Sequence, residues 1–364
     1  MDILKLNAIS PLADKILEGY NLTDESASPA GILVRSANMA EYAVPSSLLA
    51  VARAGAGVNN IPHADYAKQG IVVFNTPGAN ANAVKEMVIC ELMLAARNLV
   101  EGIVWARSLK GDDVAKQVEK GKKQFVGHEI LGKTLCVLGL GAIGRKVAVA
   151  ANALGMEVVG YDPYLSQAAK AEIPFVTVFD NADAACAAAD FVTLHMPATD
   201  ETRGMINAAS LAAMKDGVVI INAARGELVV VDDVKAALAS GKVHKYVADF
   251  PTAEVNDCDG IIAVPHLGAS TEEAEDNCAV MAANELKDYI ENGNVVNSVN
   301  LPNLKVETKC AHRVTVIAKE GTVLGVEGVS ATAKGYTYTI IDSDAPVDVA
   351  ALNADGIIRV REIR

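Results

Sequence analysis

The sequence predicts an α/β fold: two doubly wound parallel-sheet domains followed by a small C-terminal α+β module. Three observations predict it. From Lys133 to Val264 short β-branched runs alternate with Ala-rich helical stretches. The first ninety residues show a looser version of the same alternation, and after Pro302 the composition shifts to alternating strand patterns. Strand–helix alternation implies right-handed crossovers and a parallel sheet covered on both faces.

In the first part, Gly31–Val34, Leu48–Val51 and Ile71–Phe74 read as strands. The segment Ala81–Leu99 reads as one long helix, apolar on most sides and therefore buried between domains or subunits. In the second part Leu135–Leu138, Met156–Tyr161, Phe191–Leu194, Val218–Asn222 and Ile261–Val264 are the strands. Arg145–Leu154, Ala182–Ala189 and Val231–Ala239 are helices between them. A further helix begins at Ser270, where Ser270 and Glu273 form a capping-box pattern, and ends at Asn292 before Gly293. Such a helix carries the chain back to the first domain and makes it discontinuous. The expected division is 1–88 with 273–302, 89–272, and 303–364. In the last piece Arg313–Ile317, Tyr336–Ile341 and Ile357–Arg361 are strands.

With 364 residues, 51% hydrophobic and 21% charged, the chain has ample material for packed cores. A formal charge of −13 without a basic tract makes nucleic acid a poor partner. No apolar run approaches the ~20 residues a bilayer crossing needs, so no membrane is expected, and Met1–Lys5 does not read as a signal peptide. Six cysteines stand at spacings that match neither a zinc knuckle nor a redox pair, so no metal is expected. Most lie in apolar stretches, which points to free thiols and a cytoplasmic protein.

The sharpest local pattern is Gly139-Leu140-Gly141-Ala142-Ile143-Gly144, between a strand and a helix. Gly139 would make the tight turn, Gly141 would let backbone approach a pyrophosphate, and Gly144 would let helix and strand pack closely. The helix N-terminus, from Ala142 and Ile143, supplies amide donors to the phosphates. Asp162 ends the next strand, where an acid grips a ribose diol and repels a 2′-phosphate. This Rossmann-like arrangement predicts NAD.

Three polar residues fall where parallel strands deliver them, at C-terminal ends: Arg225, Glu254 and His266. Separately each has a plain structural reading, as a surface ion pair, a solvated loop charge and a satisfied loop histidine. Together they suit oxidation of a hydroxy acid. An imidazole takes the hydroxyl proton, a carboxylate beside it fixes its tautomer, and a guanidinium clamps the substrate carboxylate.

The glycine loop, Asn222-Ala223-Ala224-Arg225-Gly226, Asp249-Phe250, Glu254 and Pro265–Thr271 resemble the D-isomer-specific 2-hydroxyacid dehydrogenases over residues 30–300. Arg53–Asn60, Phe74–Gly78 and Gly160–Pro163 resemble the phosphoglycerate-oxidising members most. The resemblance implies NAD-dependent oxidation of D-3-phosphoglycerate to 3-phosphohydroxypyruvate, a step toward serine. His266 would be the acid/base, Glu254 its partner and Arg225 the substrate anchor. Arg53, Ala54 and Gly55 would surround the substrate carboxylate and phosphate. Asp249 would lie near the nicotinamide amide and His195 and Pro197 by the cofactor ribose, with Thr76, Ala223 and Gly268 among the further cofactor contacts. Lys120, Lys122 and Lys123 read either as a solvated basic loop or, by resemblance, as a phosphate clamp presented to a neighbouring subunit, with Lys122 and Lys123 as substrate ligands. The chain departs from the family at Val255, where relatives carry Pro, and in the short interval from Glu254 to His266. Residues 303–364 resemble a shortened ACT domain, with Glu320–Gly325 where its first helix belongs. Alternative readings are a hydroxypyruvate or glyoxylate reductase and an NAD(H)-sensing scaffold. A homodimer or higher homo-oligomer is implied.

Overall fold

The computed structural model describes residues 1–256, 258–307 and 310–363. The chain divides into two compact units, Met1–Asn80 together with the chain from Thr271 onward, and Ala81–Ser270.

The first unit opens with β1 (Asp2–Lys5), α1 (Leu12–Ile16), β2 (Asn21–Thr23), β3 (Gly31–Val34), β4 (Ala50–Arg53), α2 (His63–Lys68) and β5 (Val72–Phe74). The five strands form a parallel sheet in the order β2-β1-β3-β4-β5. β1 and β2, four and three residues long, are not among the strands the sequence suggests. β4 begins at Ala50, two residues beyond the expected start, and thereby carries Arg53 as its last residue.

The second unit starts with α3 (Ala81–Ala96), α4 (Leu99–Ser108), α5 (Val114–Gly121) and a 3-10 turn at Lys122–Phe125. The single helix expected over 81–99 is therefore broken. Asn98 adopts a left-handed conformation at φ 49°, and its side-chain amide donates to the Val126 carbonyl at 3.1 Å. There follow β6 (Thr134–Leu138), α6 (Ala142–Ala153), β7 (Glu157–Tyr161), α7 (Gln167–Glu172), β8 (Thr177–Val178), α8 (Ala182–Ala187) and β9 (Phe191–Leu194). The unit closes with α9 (Ala208–Ala213), β10 (Val218–Asn222), α10 (Val231–Ser240), β11 (Val243–Ala248), α11 (Ala253–Asn256) and β12 (Ile261–Ala263). All seven strands are parallel, in the order β12-β11-β10-β9-β6-β7-β8. The order reverses between β6 and β9, so the turn after β6 lies at the switch point where such sheets bind ligands. One apolar core lies on each face, and α3 packs on the face it shares with α6.

The chain returns to the first unit through α12 (Glu272–Asn292), ending at Gly293 with φ 72°. Its N-cap is Thr271, whose hydroxyl accepts from Ala274 N at 3.1 Å. Ser270 is not the cap: its amide is taken by Leu267 O in the preceding turn. The final strands β13 (His312–Lys319), β14 (Val329–Ala333), β15 (Tyr336–Ser343) and β16 (Ile357–Ile363) form an antiparallel sheet in the order β14-β15-β13-β16. Among the described residues this sheet has no α-helix, only a 3-10 turn at Val349–Ala351, so the expected α+β character is not realised. Glu320–Gly325 makes turns instead, with Gly321 and Gly325 at φ 86° and 70°, and the ACT-like first helix does not form. The sheet also shares a core with the first unit. Ile317, Tyr338 and Ile340 pack in one cluster with Leu286 and Tyr289 of α12. Tyr338 donates its hydroxyl to Gly293 O at 2.7 Å, and the Arg361 guanidinium lies 4.4 Å over the Tyr289 ring.

Candidate active site

Within the second unit the glycine turn follows β6. Gly139 has φ 92°, and a Cβ there would meet His195 O at 2.8 Å. A Cβ at Gly144 would lie 1.9 Å from Gly139 O, so close packing of α6 on its strand requires glycine. Gly141 differs: nothing lies within 4 Å of a Cβ there, leaving open space before the first amides of α6, which begins at Ala142 and continues through Ile143. Asp162, after β7, accepts from Leu140 N at 2.8 Å and Tyr164 N at 2.9 Å, which ties the ribose-binding candidate to the loop itself. Arg145, which reading the sequence passes over, donates to Leu140 O at 2.9 Å and pairs with Glu172 at 3.0 Å. A turn with an open face, fixed amides and an acid at the neighbouring strand end fits a dinucleotide.

Three further strand ends share this edge of the parallel sheet. After β10, buried Asn222 shapes the turn carrying Ala223 and Arg225: its oxygen accepts from Ala224 N at 3.1 Å and its amide donates to Arg225 O at 2.8 Å. The Arg225 guanidinium donates to Ala224 O at 2.6 Å. After β11 come Asp249 and Phe250. The Phe250 ring lies 4.9 Å from the His266 ring, and a Cβ at Gly226 would meet Phe250 at 3.5 Å. One aromatic side chain therefore spans the Arg225 turn and the imidazole. Asp249 is buried, and its two oxygens accept from Leu267 N at 2.7 Å and Gly268 N at 2.8 Å. Both oxygens of Asp249, the nicotinamide candidate, are thus engaged by the His266 loop.

Glu254 lies on the surface of a short helix. Residues 253–256 form the single-turn helix α11, Val255 takes its buried position, and Glu254 is left exposed. Among the described residues no hydrogen bond joins the Glu254 and His266 side chains. His195 lies beside the glycine turn, with its Nε2 3.0 Å from Thr193 Oγ1; burial pushes its imidazole down to about 4. That keeps the ring neutral, as a non-catalytic residue near a ribose would be. Pro197 follows at the exposed strand end. Lys120, Lys122 and Lys123 stand exposed on α5 and the 3-10 turn, where Lys122 pairs with Glu119 at 2.6 Å. No ion pair joins them to Glu254 among the described residues.

Sequence reading also passes over Glu91. It lies on α3 with 0% exposure, and neither carboxylate oxygen has a hydrogen-bond partner among the described residues. Burial, and secondly the Asp249 charge, push it up to about 8. An acid within the otherwise apolar run from Met87 to Ala96 was the available signal.

The first unit gathers its own polar groups at the ends of β3, β4 and β5. Arg53 donates through Nε to Arg35 O at 3.0 Å. Gly55, at φ 152°, has no Cβ to meet the Arg53 guanidinium, which such an atom would approach to 2.6 Å. Ala54 is buried, and buried Thr76 donates its amide to Gly55 O at 3.1 Å. Arg35 goes unmarked in the sequence although it directly follows a fully buried strand. Asn7 Oδ1 collects the amides of Arg35, Ser36 and Ala37 at 3.2, 3.1 and 2.8 Å, and Glu275 holds the Arg35 guanidinium at 2.5 Å.

Fold and glycine turn together define the class, an NAD-binding α/β protein. Residues 90–268 match the NAD binding domain of the D-isomer specific 2-hydroxyacid dehydrogenases. The D-3-phosphoglycerate dehydrogenase of Methanocaldococcus jannaschii is 37% identical over 266 residues, 71% of this chain and 49% of that protein. A hydroxypyruvate reductase of Thermotoga maritima is 39% identical over 238 residues, 63% of this chain and 73% of the relative. The chain belongs to the D-isomer specific 2-hydroxyacid dehydrogenase family. It spans about half the length of the D-3-phosphoglycerate dehydrogenases it matches, 49% and 46% of two of them. Among solved structures, a glyoxylate reductase from Paecilomyes thermophila superposes with a TM-score of 0.69 at 25% identity, covering 82% of this chain and 98% of that one. D-mandelate dehydrogenase of Rhodotorula graminis, at 0.71 and 21% identity over 82% of this chain and 97% of its own, shares the fold. No helix among the described residues is long and apolar enough to cross a membrane.

Proposed function

We propose that the chain oxidises the C2 hydroxyl of D-3-phosphoglycerate to the ketone of 3-phosphohydroxypyruvate. NAD, when bound, supplies the hydride acceptor. His266 takes the hydroxyl proton, and Arg225 holds the substrate carboxylate and polarises the C2 oxygen. Glu254 serves the imidazole once its side chain turns in from the α11 surface. Arg35 and Arg53, two guanidinium groups at adjacent strand ends, suit the doubly charged phosphate, as Lys122 and Lys123 do from their exposed turn. The observation that carries the reading is Phe250, in contact with the His266 ring and spanning to the Arg225 turn, on the edge of the sheet that bears the glycine turn. The phosphoglycerate dehydrogenases among its relatives favour this substrate.

The test is NADH formation from 3-phosphoglycerate by the purified chain. His266→Ala is expected to lower kcat by about 10²–10⁴-fold while NADH binding persists. Failure of the wild type with every 2-hydroxy acid, or full activity in the variant, refutes the reading. Reduction of unphosphorylated hydroxypyruvate is the second reading, favoured by the Thermotoga maritima relative. Arg35→Ala separates them, since it raises KM for the phosphorylated substrate alone if the phosphate is what Arg35 binds. α4 buries none of its residues and exposes Leu99, Ile103 and Val104, which supports a homodimer through this helix. Elution of the chain as a monomer on a sizing column would exclude it.

A further inference from the structure

We propose that Asp249 is a positioning residue for His266: it locks the backbone that aims the imidazole. The inference rests on the reading of His266 as the acid–base group.

His266 has φ 53°, a left-handed conformation that a residue with a Cβ disfavours roughly five- to thirty-fold. Such a conformation persists only where its surroundings impose it. Here the imposing group is visible. The two amides that follow His266, Leu267 N and Gly268 N, donate to the two separate oxygens of one carboxylate, at 2.7 and 2.8 Å. That carboxylate is 1% exposed and stands on a stiff base. Asp249 N donates to Asn222 O of β10 at 3.1 Å, and Val264 N, just after β12, donates to Ala248 O at 2.8 Å. Hydrogen bonds to an ionised acceptor are about twice as strong as neutral ones. Position 268 is shaped for the same purpose, because a Cβ there would lie 2.9 Å from Asp249 Oδ2. The next residue completes the arrangement: Asp249 holds the backbone on the C-terminal side of the histidine, and Phe250 lies against its ring.

Asn at 249 keeps one acceptor and turns an NH2 toward the other amide, so one bond is lost and two donors face each other. In Asp249→Asn we expect kcat with 3-phosphoglycerate to fall at least about tenfold, more than NADH affinity falls, and the acidic limb of the kcat/KM pH profile to move. Asp249→Glu, which keeps two acceptors, should recover part of the loss and covers the case in which the amide variant folds poorly. By NMR on the whole chain, the His266 ring protons should lose the ring-current shift of Phe250 in Asp249→Asn. That readout needs neither cofactor nor turnover. An order-of-magnitude weaker NADH affinity with unchanged kcat would overturn the proposal, since Asp249 would then be a cofactor contact. So would unchanged kcat together with unmoved His266 resonances. Full activity in His266→Ala would instead sink the reading beneath it, a result distinguishable from either.

Discussion

Glu91→Gln converts a buried acid into a neutral amide of nearly the same shape. Its carboxyl group is fully buried, without a hydrogen-bond partner, and raised from 4.5 to about 8 by burial first and Asp249 second. The folded value lies above the unfolded one, so the unfolded chain releases this proton first. Folding stability is therefore lost as pH climbs from about 4.5 to about 8, and the loss levels off above that. At about 1.36 kcal/mol per unit, the interval between 4.5 and about 8 sets a ceiling near 5 kcal/mol, with roughly 3 kcal/mol already lost at pH 7. The amide does not ionise, so the variant should match the wild type near pH 4.5 and exceed it by a margin that widens to about 3 kcal/mol at neutrality. Trp105 is the one tryptophan of the chain and lies in the same unit, so its fluorescence reports urea unfolding there. Stability differences that do not change between pH 4.5 and 8, or a wild type that gains on the variant as pH rises, would refute the reasoning.

Two neighbouring glycines should behave differently. Gly141→Ala meets open space, so the protein should keep its melting temperature within a few degrees while NADH binding, followed by fluorescence, weakens about tenfold or more. Gly144→Ala forces a Cβ to 1.9 Å from a carbonyl, and loss of soluble folded protein is expected; similar behaviour of the two variants would contradict this account. Asp342→Ala removes the carboxylate doubly bonded at 2.7 Å to the Arg313 guanidinium, leaving that 1% exposed charge on carbonyls such as Asn292 O, and should cost about 3 kcal/mol in chemical denaturation. Asp162→Ala tests the reading of this carboxylate as the ribose ligand: NAD binding should weaken and its margin over NADP, measured as the ratio of dissociation constants, should narrow.

Five strands of the second unit's parallel sheet were legible because buried strands bounded by glycine and alanine-rich helices repeat over a long stretch; β8 and β11 were not read. The glycine turn was legible because each glycine answers a separate steric demand. Shorter features were not. β1 and β2 lack the continuous β-branched runs that mark β3 and β5, and the break at Asn98 depends on a left-handed residue that composition does not mark. The C-terminal piece showed three of its four strands, β14 being missed, and misled on helix content, since Gly321 and Gly325 favour turns over the expected helix. The strand-end placement of Arg225 and His266 could be read from the alternation of strands and helices around them. The orientation of Glu254 was not legible, because one turn of α11 decides which of Glu254 and Val255 faces inward. Glu91 and Arg35 were visible as letters, yet their surroundings come from distant segments.

The interlocking of the C-terminal strands with α12 bears on how the chain can be cut. Cleaving after Pro302 would not detach an accessory. It would peel one wall from the interior shared by Leu286, Tyr289, Ile317, Tyr338 and Ile340, and leave greasy surface facing water. Shortened versions made for crystallisation should therefore precipitate, and a tag is safer on a surface loop of the other unit than spliced into that seam.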